Sequence, residues 1–200
     1  MAPWEEGDEK IMIAALLFAL TVPVAAPAPV SASPGDPALF DAATGYRIAA
    51  YRGVIPAAPP DVERIDDGEA AKRHDGGHTL FIDLTPARGA VRDAATGEWR
   101  LAEPHETIPG AHWFPEAGRG PADAAIDRWF AGGISRLTKG SHRRPIVAFC
   151  LADCWMSWNA AWKLRRLGYR AVAWYANGID GWRDLGRPLV PATPEGTSRR

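Results

Sequence analysis

Three short apolar segments, separated by stretches with helical spacing, constrain the fold of this chain more than any other feature. Residues 79–84 (TLFIDL), Ile146–Phe149 and residues 170–175 (RAVAWY) have the length and apolar content of buried strands. Between the last two lies a predicted helix over residues 157–167, with Gly168 as its C-terminal stop. Strands that alternate with helices form βαβ units, and functional loops then lie at the carboxyl ends of the strands. We therefore expect an α/β fold with a parallel sheet.

Two further segments carry weaker patterns. Residues 121–137 have helical spacing interrupted by Gly132 and Gly133, which predicts two short helices. In residues 46–55 (YRIAAYRGVI), apolar and polar side chains nearly alternate, which predicts an edge strand. The expected organisation is a signal peptide over residues 1–32, an N-terminal extension over 33–77 and a main domain over 78–191. That domain contains an inserted loop at about 85–106, and residues 192–200 form a flexible tail.

The N-terminal region resembles an export signal. Residues 11–24 (IMIAALLFALTVPV) form an uncharged apolar run that is too short for a membrane span, and a tract of small residues and prolines follows it. The ten residues before the run are acidic, whereas a signal peptide begins with positive charge, so the true start is better placed at Met12. We expect a periplasmic protein with no membrane span in its mature form. The alternative is an uncleaved amphipathic anchor.

The composition argues against nucleic-acid binding, and its many tryptophans allow two interpretations. The chain has 200 residues with 23 basic and 24 acidic side chains, so no broad positive field exists to bind nucleic acid. Nine tryptophans are many for this length, and five fall within 28 residues: Trp155, Trp158, Trp162, Trp174 and Trp182. Core packing is the main interpretation, and an aromatic lining for a ligand pocket is the alternative.

The chemistry-bearing feature is a loop with the chain's two cysteines, Cys150 and Cys154. Cys150 ends a predicted strand and the loop leads into a helix N-terminus, whose free amides and dipole favour a thiolate and a small bound anion. Sulfur transfer, thiol–disulfide redox chemistry and a structural disulfide all remain open. No cofactor or metal is predicted, because the five histidines are scattered, although two thiols with a distant histidine would suit a soft ion such as Cu(I).

Five motifs in succession resemble the signatures of the rhodanese-like superfamily. They are TLFIDL (79–84), HETIPGAHWFP (105–115), PIVAFC (145–150), the helix segment from Ala160 to Tyr169, and GIDGWRDLGRP (178–188). More narrowly, CLADCWMSWNAA resembles the CxxCW-motif proteins that accompany PQQ-dependent alcohol catabolism in bacteria, although three residues separate the cysteines here.

The resemblance implies a roughly five-stranded parallel sheet flanked by helices, with Cys150 as the sulfur-accepting cysteine that becomes a persulfide. It also implies an anion-binding loop and two supporting residues. The loop comprises Leu151, Ala152, Asp153, Trp155, Met156 and Ser157. Asp83 and Trp158 are the supporting residues, and a turn cap is an equal alternative for Asp83.

Two departures from the family pattern matter for activity. Active rhodaneses carry Arg or Lys five residues after the cysteine, where this chain has Trp155, and the loop is one residue longer. No cation in the loop therefore offsets the charge of thiosulfate or phosphate. Cys154 is an added thiol that can resolve a species formed on Cys150. The sequence thus predicts a sulfurtransferase or persulfide carrier that passes sulfur to an acceptor thiol. The alternative is an accessory or redox protein for a periplasmic PQQ-dependent dehydrogenase.

Overall fold

A computed structural model describes Met1 and residues 37–197 of the chain. Five strands form one parallel sheet in the order β1-β8-β7-β2-β6. They are β1 (Glu63–Ile65), β2 (Leu80–Asp83), β6 (His112–Trp113), β7 (Ile146–Phe149) and β8 (Val172–Tyr175). Two antiparallel pairs accompany this sheet: β3 (Val91–Arg92) with β4 (Trp99–Arg100), and β5 (His105–Thr107) with β9 (Val190–Ala192).

Four helices cover the parallel sheet on both faces. They are α1 (Asp67–Asp75), α2 (Ala124–Leu137), α3 (Trp155–Arg166) and α4 (Gly178–Asp184), and a short 3-10 helix spans Pro37–Leu39. Helices α2 and α3 share a core with one face of the sheet, and α1 and α4 share a second core with the other. Every residue of β2, β7 and β8 is buried, as expected for parallel strands covered on both sides. The predicted α/β fold with a five-stranded parallel sheet is confirmed.

Helix α2 is continuous, so the predicted break at Gly132 and Gly133 is wrong. A Cβ at Gly133 would lie 2.5 Å from Cε1 of Phe114, whereas one at Gly132 would meet open space. The second glycine of the pair therefore permits close packing of the helix on an aromatic ring. The intrinsic cost of glycine in a helix, about 1 kcal/mol relative to alanine, is too small to end a helix held by tertiary contacts.

The N-terminal extension is part of the domain. The predicted edge strand over residues 46–55 does not form, and this stretch contains only isolated bridges at Arg47 and Arg52. Strand β1 and helix α1 lie within residues 33–77, and β1 pairs with β8 at the edge of the parallel sheet. The ordered domain consequently begins before residue 78.

An aromatic ladder joins this extension to α3. Its rings meet edge to face in the order Phe40, Trp155, Trp158, Trp162 and Tyr46, with successive centroids 5.3 to 5.4 Å apart. Such contacts stabilise by about 1 kcal/mol beyond the area they bury. All five clustered tryptophans are buried, which supports the packing interpretation.

The C-terminal segment is also packed through residue 197. The Glu195 carboxylate accepts hydrogen bonds from Arg136 at 2.8 Å and from His112 at 2.7 Å, and its carbonyl accepts one from the Trp129 indole at 3.1 Å. The predicted flexible tail over residues 192–200 is therefore wrong for its described part. The predicted signal peptide lies outside the described residues apart from Met1. Within the described part of the chain, no helix is long and apolar enough to cross a membrane.

Candidate active site

The two cysteines lie together where β7 ends and α3 begins. Cys150 directly follows β7, and Cys154 is the N-cap residue of α3. Both side chains are buried, with exposed fractions of 0% for Cys150 and 2% for Cys154. No disulfide joins them, and the two side chains pack together with Met156 in one small buried cluster. The β-strand scaffold thus delivers a compact dithiol to the carboxyl edge of the sheet.

The two thiols differ in acidity. Cys154 is the more acidic one, whereas the sequence predicted that Cys150 would be. Burial raises the pKa of Cys150 well above its usual value, and the contact with Cys154 and the charge of Asp83 act in the same direction. The pKa of Cys154 is lowered, chiefly because the Cys150 thiol donates to its sulfur. Burial opposes this, and the amides of α3 and the charge of Arg52 contribute further lowering. Of the two thiols, Cys154 therefore loses its proton at the lower pH, and Cys150 keeps its proton to higher pH.

Two of the loop amides that were predicted to surround the Cys150 sulfur donate to other acceptors instead. The Ala152 amide donates to Asp180 Oδ2 at 2.9 Å, and the Trp155 amide donates to the Tyr51 carbonyl at 2.8 Å. The Leu151 amide is the loop amide that acts on Cys150. The other two amides are taken by acceptors from α4 and from the N-terminal extension, which loop spacing could not reveal.

At the α3 N-terminus, the amides of Met156 and Ser157 lower the pKa of Cys154. The two amides act by hydrogen bonding toward the Cys154 sulfur, although the side chain makes no capping hydrogen bond of ordinary geometry. The helix N-terminus therefore favours a thiolate as predicted, but on the second cysteine.

A strap, formed by residues 51–53, covers the cysteine loop. Arg52 forms an antiparallel bridge with Cys154, and the Gly53 amide donates to the Asp153 carbonyl at 2.9 Å. The Tyr51 side chain packs against the buried cysteines, and its hydroxyl lies 3.2 Å from the Gly120 amide nitrogen. These contacts close one side of the site.

Asp83 lies at the end of β2, beside the cysteine strand. Its fully buried carboxylate accepts hydrogen bonds from the Thr85 amide at 2.8 Å, His105 Nε2 at 2.7 Å and the Thr107 hydroxyl at 2.6 Å. The bond to Thr85 makes it a turn cap, and the bond to His105 adds a role that sequence analysis missed. His105 opens the motif at residues 105–115, but no sequence spacing connects it to Asp83.

The remaining predicted loop residues mainly build the core. Ser157 is buried, with its hydroxyl donating to the Cys154 carbonyl at 3.1 Å and accepting from the Trp174 indole at 3.0 Å. Met156 is buried against Gly118. Trp155 and Trp158 belong to the aromatic ladder, while Asp153 is exposed at the loop tip with a φ of 51°. Most of these side chains therefore do not face a ligand.

Two adjoining cavities, of about 240 and 360 Å³, lie beside the loop on the side of the inserted segment. Both are lined by Thr85, Pro104, His105 and Leu151. The cavities therefore reach Leu151, the residue that directly follows Cys150. Among the described residues, no group of His, Cys, Asp and Glu has an arrangement that could hold a metal ion.

Comparisons with known proteins identify the family. Residues 67–185 match the model of the rhodanese-like domain. A search of curated proteins finds no match.

Solved structures similar to this one include three sulfur-transfer proteins. The polysulfide-sulfur transferase homodimer of Wolinella succinogenes has 14% identity and a TM-score of 0.41, with 70% of this chain and 85% of that chain covered. A thiosulfate sulfurtransferase of Pseudomonas aeruginosa has 18% identity and a TM-score of 0.42, with 69% and 21% covered. A 3-mercaptopyruvate sulfotransferase of Escherichia coli has 17% identity and a TM-score of 0.48, with 70% and 52% covered. Because the family model spans more than half of the chain, this protein belongs to the rhodanese-like domain family.

Proposed function

We propose that this protein is a sulfurtransferase or persulfide carrier in which Cys150 accepts a sulfane sulfur and Cys154 assists it. The observation that carries the proposal is the packing of the two buried thiols against each other between the end of β7 and the start of α3. The Cys150 thiol must lose its proton before it can attack, and Cys154 is the neighbouring group that can accept that proton. Membership of the rhodanese-like family makes sulfur transfer the reaction this arrangement suits best.

The reaction begins when Cys154 takes the proton of Cys150. The Cys150 thiolate attacks the outer sulfur of a sulfane donor and forms a new sulfur–sulfur bond. The donor's own sulfur–sulfur bond breaks, and its electron pair leaves with the remnant, which is sulfite if the donor is thiosulfate. An acceptor thiolate then attacks the outer sulfur of the persulfide, and Cys150 departs as a thiolate.

Cys154 also offers a second exit from the persulfide. Its proton passes to the outer sulfur of the persulfide, and the resulting Cys154 thiolate attacks the Cys150 sulfur, so that a disulfide forms and hydrosulfide leaves. An external thiol reductant must then supply two electrons to restore the dithiol. Because both sulfurs are buried, the site has to open before any donor or acceptor reaches them.

Intact-mass measurement after incubation with thiosulfate tests the proposal. The wild-type protein should gain the mass of one sulfur atom, and Cys150→Ser should gain none. Cys154→Ser should form the persulfide more slowly, because it lacks the base, and should also release it more slowly to an added thiol. If the wild-type protein never gains one sulfur, sulfur transfer is wrong. If Cys150→Ser still gains it, Cys154 is the accepting residue.

Thiol–disulfide redox chemistry is the second candidate, and the same packing of the two free thiols favours it. Here the pair closes to a disulfide by exchange with a partner disulfide, and no sulfur atom is carried. Thiol titration of protein purified from its native compartment separates the two functions. A pair that is oxidised and readily reduced supports redox exchange, whereas an oxidised pair that resists mild reductant supports a structural accessory role.

We further propose that the protein is exported to the periplasm, on the basis of the apolar run at residues 11–24. Fusion of residues 1–32, or of residues 12–32, to a reporter active only after export tests both the localisation and the start at Met12. An inactive reporter in both fusions would contradict export.

The CLADCWMSWNAA segment supports placement in the CxxCW-motif subgroup associated with PQQ-dependent alcohol catabolism. The proposed partner is therefore a periplasmic PQQ-dependent dehydrogenase or an acceptor thiol of its system. Dehydrogenase activity in periplasmic extracts of a deletion strain, with and without added purified protein, tests this association. Equal activity in all extracts would contradict it.

A further inference from the structure

The cysteine loop lacks the cation that an anionic sulfur donor requires. Position 155, where a positive charge is expected from the family resemblance, is a tryptophan buried in the aromatic ladder. Two of the loop amides, those of Ala152 and Trp155, already donate to acceptors within the protein. An anion approaching the sulfurs therefore needs a positive charge from another part of the chain.

The strap brings such a charge to the sulfurs. Arg52 pairs with Cys154 in an antiparallel bridge, which the hydrogen bonds of its two neighbours in the strap hold in place. The residue is exposed, yet its charge acts on Cys154 and contributes to lowering the pKa of that thiol. Asp83 supplies the opposing negative charge and acts on Cys150 from the neighbouring strand.

Arg52 also lies outside the stretch that matches the family model, which begins at residue 67. The inserted segment and α4 carry the next candidates, Arg88 and Arg183, which line the cavities beside Leu151. Arg183 is drawn toward Asp180, with 3.9 Å between their charged groups. Of these three arginines, Arg52 alone is tied by backbone pairing to a cysteine of the site.

We propose that Arg52 supplies the positive charge that the cysteine loop lacks, and that it makes the site select an anionic sulfur donor. The inference deepens the proposed sulfur transfer and depends on it for its biological meaning. Arg52 is a specificity-determining residue, and it acts through charge on whatever anion approaches the cysteines. Arg52→Lys should then preserve most of the selectivity for an anion, whereas a neutral residue at position 52 should remove it.

Alkylation by a charged and a neutral reagent tests the charge directly. Iodoacetate is anionic and iodoacetamide is neutral, and both react with the same thiolate, so the ratio of their rates cancels changes in thiolate fraction. For charges about 6 Å apart in water-like surroundings, Arg52→Gln should lower the iodoacetate-to-iodoacetamide ratio roughly threefold. Arg52→Lys should retain most of the wild-type ratio. Arg128→Gln, which makes the same charge change on the exposed side of α2, should leave it unchanged.

Several results would overturn the inference. An unchanged ratio in Arg52→Gln, an equal drop in Arg128→Gln, or no alkylation of either cysteine by either reagent would each do so. Thermal unfolding of each variant confirms that the strap and the fold are retained. The alkylation ratio is measured independently of sulfur transfer. The proposed sulfur transfer is refuted by a different result, namely that no persulfide forms at any donor concentration. A protein can therefore keep its charge selectivity and still fail to transfer sulfur.

Discussion

Asn159 fastens the N-terminal extension to α3, and its removal should destabilise the whole domain. The side chain is fully buried and makes three hydrogen bonds. Its Oδ1 accepts from the Arg47 amide at 3.0 Å, and its Nδ2 donates to the carbonyls of Arg47 at 2.8 Å and Gly118 at 2.9 Å. One amide group thus ties together three segments that are distant in sequence.

The expected loss of stability in Asn159→Ala can be calculated from these three hydrogen bonds. A net contribution of about 1 kcal/mol for each gives about 3 kcal/mol of destabilisation for Asn159→Ala. For a domain of this size, 1 kcal/mol lowers the melting temperature by roughly 2–4 °C, so the expected decrease is roughly 6–12 °C. Urea denaturation followed by circular dichroism measures the free energy of unfolding directly.

Asn177→Ala is the matched control for this substitution. Asn177 is exposed and donates one hydrogen bond, at 3.0 Å, to Asp67. Surface substitutions of this kind usually change the free energy of unfolding by no more than about 0.5 kcal/mol. If Asn159→Ala costs less than about 1 kcal/mol, or no more than the control, then the three bonds do not hold the extension and our account of its packing is refuted.

Four further predictions concern two glycines and the surroundings of the cysteines. A Cβ at Gly178, which has a φ of +53°, would lie 1.9 Å from the Cys150 carbonyl oxygen, so Gly178→Ala should destabilise by about 1–3 kcal/mol in urea denaturation. Gly132→Ala meets open space in α2 and should instead stabilise by about 0.5–1 kcal/mol, and a loss of stability there would contradict the explanation. Cys150→Ala removes the thiol that lowers the pKa of Cys154, so thiolate absorbance should appear at higher pH in the variant than in the wild type. A thiolate titration at the same or lower pH would show that the sulfur contact does not set the acidity. Asp83→Asn removes the charge from a fully buried acceptor of three hydrogen bonds and should cost about 2 kcal/mol, whereas unchanged thermal stability would mean that the network contributes nothing.

The central strands could be predicted from sequence because their burial on both faces leaves continuous apolar runs. The prediction for β7 coincides with the observed Ile146–Phe149. Strand β1 was missed because it has only three residues, two of them exposed, and its identity depends on pairing with β8. Residues 46–55 alternate in hydropathy because they pack over α3 through the aromatic ladder and the strap, which is a pattern that an edge strand shares.

The site was predictable in position but not in its electrostatics. A cysteine after an apolar strand and before a helix identifies the location of the dithiol. The relative acidity of the two thiols depends on the Asp83 charge and on the direction of the sulfur contact. Two of the amides expected around Cys150, those of Trp155 and Ala152, are engaged by Tyr51 and Asp180, which are distant in sequence. Local spacing carries no information about such long-range partners.

The contacts between Arg47 and Asn159 join residues separated by 112 positions in the chain. During synthesis the N-terminal segment leaves the ribosome first, yet the α3 surface that buries Tyr46 is made more than a hundred residues later. The segment therefore remains an exposed apolar stretch until most of the chain exists, and the closing of so long a loop slows folding. A chaperone that shields this early segment would thus cover its apolar side chains until the α3 surface that buries them has been made.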